Sequence, residues 1–178
     1  YALEYHGAWR IDIDSVRRAI GDRVRAILIV SPNNPTGSFL HRDDLALLGE
    51  IAVEHNVPLI GDEVFADYRL DGAAAATHVL AAGDVLAFSL GGLSKSAGLP
   101  QLKLGWIGFG GPSNRVDDLL GRFEIIADTY LSVSTPIQAA AAELIESGAA
   151  IRAQVLARVK RNLESLRMFH SAVQLAQA

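Results

Sequence analysis

The chain has 178 residues and no cysteine, and half of its residues are apolar. That length suits one domain or slightly more with a sizeable core, and a charged fraction of 20% excludes an extended disordered chain. Its 16 basic and 20 acidic side chains leave a net charge of −4 with the basic residues scattered, which gives no broad field for a nucleic-acid backbone.

No apolar run reaches the ~18 residues of a membrane span, so neither nucleic acid nor membrane is an expected partner. The missing cysteines remove disulfides, thiolate zinc sites and a cysteine nucleophile together, and fit a reducing, cytoplasmic setting. The first residue is Tyr1 and no leader-like segment follows it, so the sequence reads as an excerpt.

In chain order, residues 24–30 (VRAILIV), 57–60 (VPLI) and 85–89 (VLAFS) are short, branched and nearly all apolar. This predicts strands buried on both faces. Residues 41–56 carry Leu45, Leu48, Ile51, Ala52 and His55 on one helical stripe, an amphipathic crossover helix. Residues 103–109 (KLGWIGF) form a further strand-like run that includes Gly105 and Gly108 and is ended by Pro112. Helices are expected over 117–127, 137–146 and 151–178, with an exposed polar loop at 129–136 (TYLSVSTP). The alternation predicts an α/β fold with a mostly parallel sheet flanked by helices.

In an open parallel sheet, ligands bind beyond the carboxyl ends of the strands. The first run leads into Asn33-Asn34-Pro35-Thr36-Gly37, the second into Gly61-Asp62-Glu63, and the third into Gly91-Gly92-Leu93-Ser94-Lys95. An amide, a carboxylate and an amine therefore converge. Singly, each has an ordinary structural role: Asn-Pro and Thr-Gly form turns, an acid after a strand caps a helix, and a Gly-Ser-Lys stretch is a loop.

Nucleotide-binding patterns fail on spacing. A phosphate loop places Gly directly before Lys, whereas Ser94 precedes Lys95, and the Asp62-Glu63 strand comes before the lysine loop rather than after it. Gly108-Phe109-Gly110-Gly111 lacks the full dinucleotide fingerprint. The five histidines show neither metal-ligand spacing nor a nucleophile partner.

Three ordered motifs, Asn34-Pro35-Thr36-Gly37, Asp62-Glu63-Val64-Phe65, and Ser94-Lys95 with Lys103-Leu104-Gly105-Trp106, resemble the class I/II (fold type I) pyridoxal-phosphate-dependent aminotransferases. The resemblance implies pyridoxal 5'-phosphate as cofactor, with Lys95 as its Schiff-base lysine and proton carrier. It implies Asp62 facing the pyridine nitrogen and Asn34 on the phenolic oxygen. It also implies Lys103 as a phosphate cation where the family more often has arginine, with the Ser94 hydroxyl as a further donor. Glu63 is expected to be structural, Thr36 to support its turn, and Trp106 to pack in the core.

Two departures stand out. Gly92 occupies the position where many members have a hydroxyl residue for the phosphate, and Phe65 the position where many have a tyrosine donating to the phenolic oxygen. Tyr68 could compensate for the latter, although packing at the strand edge is its simpler role.

The resemblance further implies that residues 1–148 belong to the cofactor-binding large domain and that 149–178 form a helix linking towards a small domain. It implies a homodimer in which the loop near Ser132 and Ser134 reaches the neighbouring site. The ring-stacking aromatic and the substrate-carboxylate arginine fall outside the match, so this stretch alone is expected to be inactive. The implied reaction moves an amino group between an amino acid and a 2-oxo acid. Carbon–sulfur lyases, decarboxylases and cyclopropane-forming synthases share the constellation, and a cofactor-sensing domain of a transcriptional regulator is an alternative from another class.

Overall fold

A computed structural model describes residues 1–70, 76–130 and 132–176, with no side chain described beyond residue 170. The alanine-rich stretch at 71–75 and Leu131, within the loop expected at 129–136, lie outside the described residues.

The chain opens with a hairpin of two short strands, β1 (Leu3–Tyr5) and β2 (Trp9–Ile11), turning at Gly7, whose positive φ of 82° suits a residue without Cβ. Helix α1 (Ile13–Ala19) follows, and its N-cap Asp12 accepts a hydrogen bond from the Ser15 amide at 2.9 Å. The central sheet holds β3 (Ile27–Val30), β4 (Leu59–Asp62), β5 (Ala87–Gly92) and β6 (Gly105–Gly110) in that spatial order. The first three are mutually parallel and β6 runs antiparallel to β5. The connection from β5 to β6 holds only the four-residue helix α3 (Leu93–Ser96) and a 3₁₀ turn at Pro100–Leu102, with no helix long enough to carry the chain back along the sheet for a parallel return, so the chain doubles back.

Helix α2 (Arg42–Glu54) makes the crossover from β3 to β4. Asp43 and Asp44 in its first turn suit the positive end of the helix dipole, and Asn56 leaves it at φ 49°. Its Leu45, Leu48, Ile51 and Ala52 are buried against Ile27, Ile29, Leu59, Val79 and Ala87, which form the core. Leu48, Ile51 and Leu59 are sealed from solvent, each worth about 1.5–3 kcal/mol. His55, the last residue of the expected stripe, is exposed at the C-cap.

Burial of the strands on both faces does not hold for β3, where Leu28 is 54% exposed between the buried Ile27 and Ile29. Val30, on the same face as Leu28, is half-buried, so that face is only partly covered. The strands also run further than their apolar residues. Register pairs Val30 with Asp62 and Asp62 with Leu90, so backbone hydrogen bonding carries Gly61-Asp62 and Gly91-Gly92 into the sheet.

The remaining helices are α4 (Ser113–Thr129), α5 (Thr135–Ala139) and α6 (Ala141–Ala176). The break expected near Gly148 falls instead at Ala140. Gly148 stays helical and buried because α6 touches α3 there: a Cβ at position 148 would lie 2.7 Å from the Ala97 Cβ. No helix among the described residues is long and apolar enough to cross a membrane.

Candidate functional site

The carboxyl ends of β3, β4 and β5, the last running two residues past the other two, present three loops on one rim of the sheet. After β3, the Asn33 amide donates to the Ser38 carbonyl and the Gly37 amide to the Asn33 carbonyl, both at 2.7 Å, with Gly37 at φ 72°. Thr36 donates its hydroxyl to Asn33 Oδ1 at 3.0 Å and shares a second hydrogen bond with Ser38, so it does brace the turn. Asn34 stands exposed at the tip. Asn34, Pro35, Phe39, Phe65, Tyr68 and Arg167 help line a cavity of about 510 Å³.

Asp62 is the last residue of β4 and is half-buried. Its Oδ1 accepts from the Val64 amide at 3.3 Å, and among the described residues it makes no ion pair. Glu63 points elsewhere: its carboxylate accepts from the Val79 amide and from the Ser89 hydroxyl, joining β4, the 3₁₀ turn at Val79–Ala82 and β5. Glu63 therefore has a structural role. Gly61 makes room for this packing, since a Cβ there would meet the Val79 side chain at 2.7 Å.

Lys95 lies in α3 with its side chain exposed. Its ammonium sits over the Phe65 ring, 5.2 Å from the centroid, a cation–π contact, and it has no carboxylate partner among the described residues. The backbone beneath it is held firmly. Tyr68 Oη donates to the Lys95 carbonyl at 2.6 Å, Arg152 Nη1 donates to the Ser96 carbonyl at 2.6 Å, and Ser96 Oγ donates to the Gly92 carbonyl at 2.9 Å. Tyr68 is thus tied to the lysine's own carbonyl. Burial first, then the charge of Asp67, raise its phenol above the ordinary value, with Arg152 opposing.

The other expected residues are less closely gathered. Ser94 is half-buried in α3, and Lys103 is exposed in the left-handed conformation (φ 54°) just past the 3₁₀ turn. No hydrogen bond or ion pair joins Lys103 to Asn34, Asp62 or Lys95 among the described residues. Ser132 and Ser134 are exposed ahead of α5. Trp106 is not in the core. It is 39% exposed and lies across Gly91, where a Cβ would come within 2.2 Å of its indole nitrogen. Sequence reasoning missed Arg152, because its partner Ser96 is 56 residues away and nothing in the local pattern marks the contact.

The donor set suits pyridoxal phosphate: an exposed amine and a half-buried carboxylate, both without ion-pair partners among the described residues, share a rim with an exposed amide. Among the described residues no group of histidine, aspartate or glutamate side chains could hold a metal ion.

A family model described as aminotransferase class I and II matches residues 1–177. The glutamate-pyruvate aminotransferase of Escherichia coli (strain K12) is 31% identical over 138 residues, which is 78% of this chain and 34% of that protein. The chain therefore spans about a third of the length of the curated relatives it matches. Among solved structures, alanine aminotransferase from Pyrococcus furiosus superposes with a TM-score of 0.68 at 30% identity, over 79% of this chain and 37% of that one. A pyridoxal-phosphate-bound carbon–sulfur lyase from Staphylococcus hominis gives a TM-score of 0.75 at 23% identity, over 94% of this chain and 41% of that one, a likeness of fold alone.

Proposed function

Because the chain belongs to the class I and II aminotransferases, we propose that the protein to which it contributes moves an amino group between an amino acid and a 2-oxo acid, using pyridoxal 5'-phosphate. The observation that carries this reading is the common rim: Asp62 pairs in register with both Val30 and Leu90, so the Asn34 loop, the Asp62 carboxylate and the Lys95 helix leave the sheet side by side.

When bound, the cofactor supplies an aldehyde that condenses with amines and a ring that draws electrons from the substrate carbon. Lys95 would hold the aldehyde, Asp62 the ring nitrogen, Asn34 the phenolic oxygen, and Ser94 and Lys103 the phosphate. Lys95 Nζ is the group suited to take and return a proton, because its side chain is exposed on the rim while its backbone is fixed. Asp62 places a carboxyl group at the strand end, with one oxygen anchored by the Val64 amide. Lys103 serves as a point charge on an exposed side chain, without the planar fork of an arginine.

The same reading includes a homodimer with Ser132 and Ser134 facing the neighbouring site, a large-domain role for residues 1–148, a linking role for the helix over 149–178, and a cytoplasmic setting. Transfer between glutamate and pyruvate is the first pair to test, since relatives carry that name. Full-length protein incubated with cofactor, glutamate and pyruvate should yield alanine and 2-oxoglutarate in equal amounts. Cleavage products without amino transfer, across a panel of amino acids and 2-oxo acids, would overturn the reading.

A further inference from the structure

Helix α3 is four residues long. A helix of one turn does not stabilise itself, because nucleation fixes several residues for a single hydrogen bond, and its final carbonyls have no partner within the helix. Here two side chains from outside supply them. Tyr68, in the segment after β4, donates to the Lys95 carbonyl, and Arg152, on α6, donates to the Ser96 carbonyl, each at 2.6 Å. Arg152 Nε also lies 3.6 Å from Asp67 Oδ2, the neighbour of Tyr68, so the two donors are joined. The Arg152 side chain is only 22% exposed and brings positive charge to the carbonyl end of the helix, where it is favoured. The close approach of α6 at Gly148 brings Arg152, one turn on, within reach.

We infer that Arg152 and Tyr68 are positioning residues that clasp the carbonyl end of α3 and thereby set where the Lys95 amine stands. The inference rests on the proposed role of Lys95. Each donates to a backbone carbonyl of the lysine helix, not to the Lys95 amine, and so acts through that backbone. The clasp also joins Lys95 to α6, so a displacement of α6 is felt at the lysine.

The test uses the full-length protein with Tyr68→Phe, Arg152→Ala and Arg152→Lys. In the cofactor-free state, amide hydrogen exchange over residues 93–99 should speed up in Tyr68→Phe and Arg152→Ala. In the loaded state, kcat should fall on the order of 10-fold, within what small misplacements of a reacting group cost, while KM for the amino acid stays within about twofold. Arg152→Lys restores a charged donor and should recover most of both losses. Unchanged exchange and kcat in Tyr68→Phe, or a lysine variant as impaired as the alanine one, overturns the clasp. Should Arg152→Ala fail to fold, Tyr68→Phe decides alone, since it removes one hydroxyl. A wild type that takes up no cofactor would instead strike at the proposed function, which separates the two failures.

Discussion

The Lys95 ammonium stands over the face of the Phe65 ring at 5.2 Å, at a position where the resemblance leads one to expect a phenol. The ring offers an attractive face and no hydrogen-bond donor. Phe65→Tyr adds a donor for the cofactor's phenolic oxygen, and a hydrogen bond to a charged oxygen is worth about 1.5–3 kcal/mol. The absorbance of the cofactor–lysine adduct, titrated against pH, should therefore move its midpoint down by about 1 pH unit or more in the variant. A midpoint that stays in place or rises refutes this.

The Tyr68 phenol, raised above its ordinary value of 10.0 mainly by burial, fixes the sign of an alkaline effect. A group with a raised folded-state pKa contributes stability that is fully present below its unfolded value and lost as pH rises through the folded one. Tyr1, also raised by burial, acts in the same window. The stability difference between wild type and Tyr68→Phe should thus be constant from neutral pH to about pH 9 and shrink above about pH 10. Thermal melts of the two proteins across that range provide the check, and a difference independent of pH contradicts it.

At Gly148 two effects oppose one another. Alanine is the better helix former by ~1 kcal/mol, yet its methyl would sit 2.7 Å from the Ala97 Cβ and 2.9 Å from the Ala97 Cα. Overpacking against backbone costs about 1–3 kcal/mol, so the steric cost wins. Gly148→Ala should lower the Tm of the full-length protein, whereas Gly121→Ala, where a Cβ meets nothing, should raise it slightly.

Arg10 and Asp44 tie the N-terminal hairpin to α2. The guanidinium donates from Nε and Nη2, the shortest contact being 2.6 Å, and the carboxylate is 7% exposed while the arginine is 38% exposed. The Asp44 hydrogen bond is the leading cause that raises Arg10 above the ordinary guanidinium value, so the guanidinium stays charged through the neutral range. Removing the arginine leaves a buried carboxylate with only the Ile11 amide, at 3.5 Å, beside it. Arg10→Ala should cost about 1–3 kcal/mol, below the range for fully buried pairs because one partner reaches solvent. Arg10→Met with Asp44→Leu should cost less than either change singly in denaturant unfolding.

Strand existence was legible because residues 24–30, 57–60 and 85–89 are short and apolar, and α2 because its stripe repeats at helical period. Strand ends were not: register extends pairing through Gly61-Asp62 and Gly91-Gly92, which carry no apolar signal. The hairpin and α1 went unassigned because three-residue strands are too short to show a period, although Gly7 and the Asp12–Ser15 cap were there to be read. The motifs at Asn34, Asp62 and Lys95 were visible as local sequence, whereas the Tyr68 and Arg152 hydrogen bonds depend on tertiary approach. Trp106 misled because residue type suggested the core, while the glycine opposite it leaves a shelf at the sheet's edge.

The most direct measurement is covalent. Full-length protein saturated with pyridoxal phosphate, reduced with borohydride and digested, should show by mass spectrometry a single tagged peptide with the label on Lys95, and Asp62→Asn should weaken cofactor retention. A protein that stays colourless and untagged, or carries its tag on Lys103 instead, contradicts the assignment.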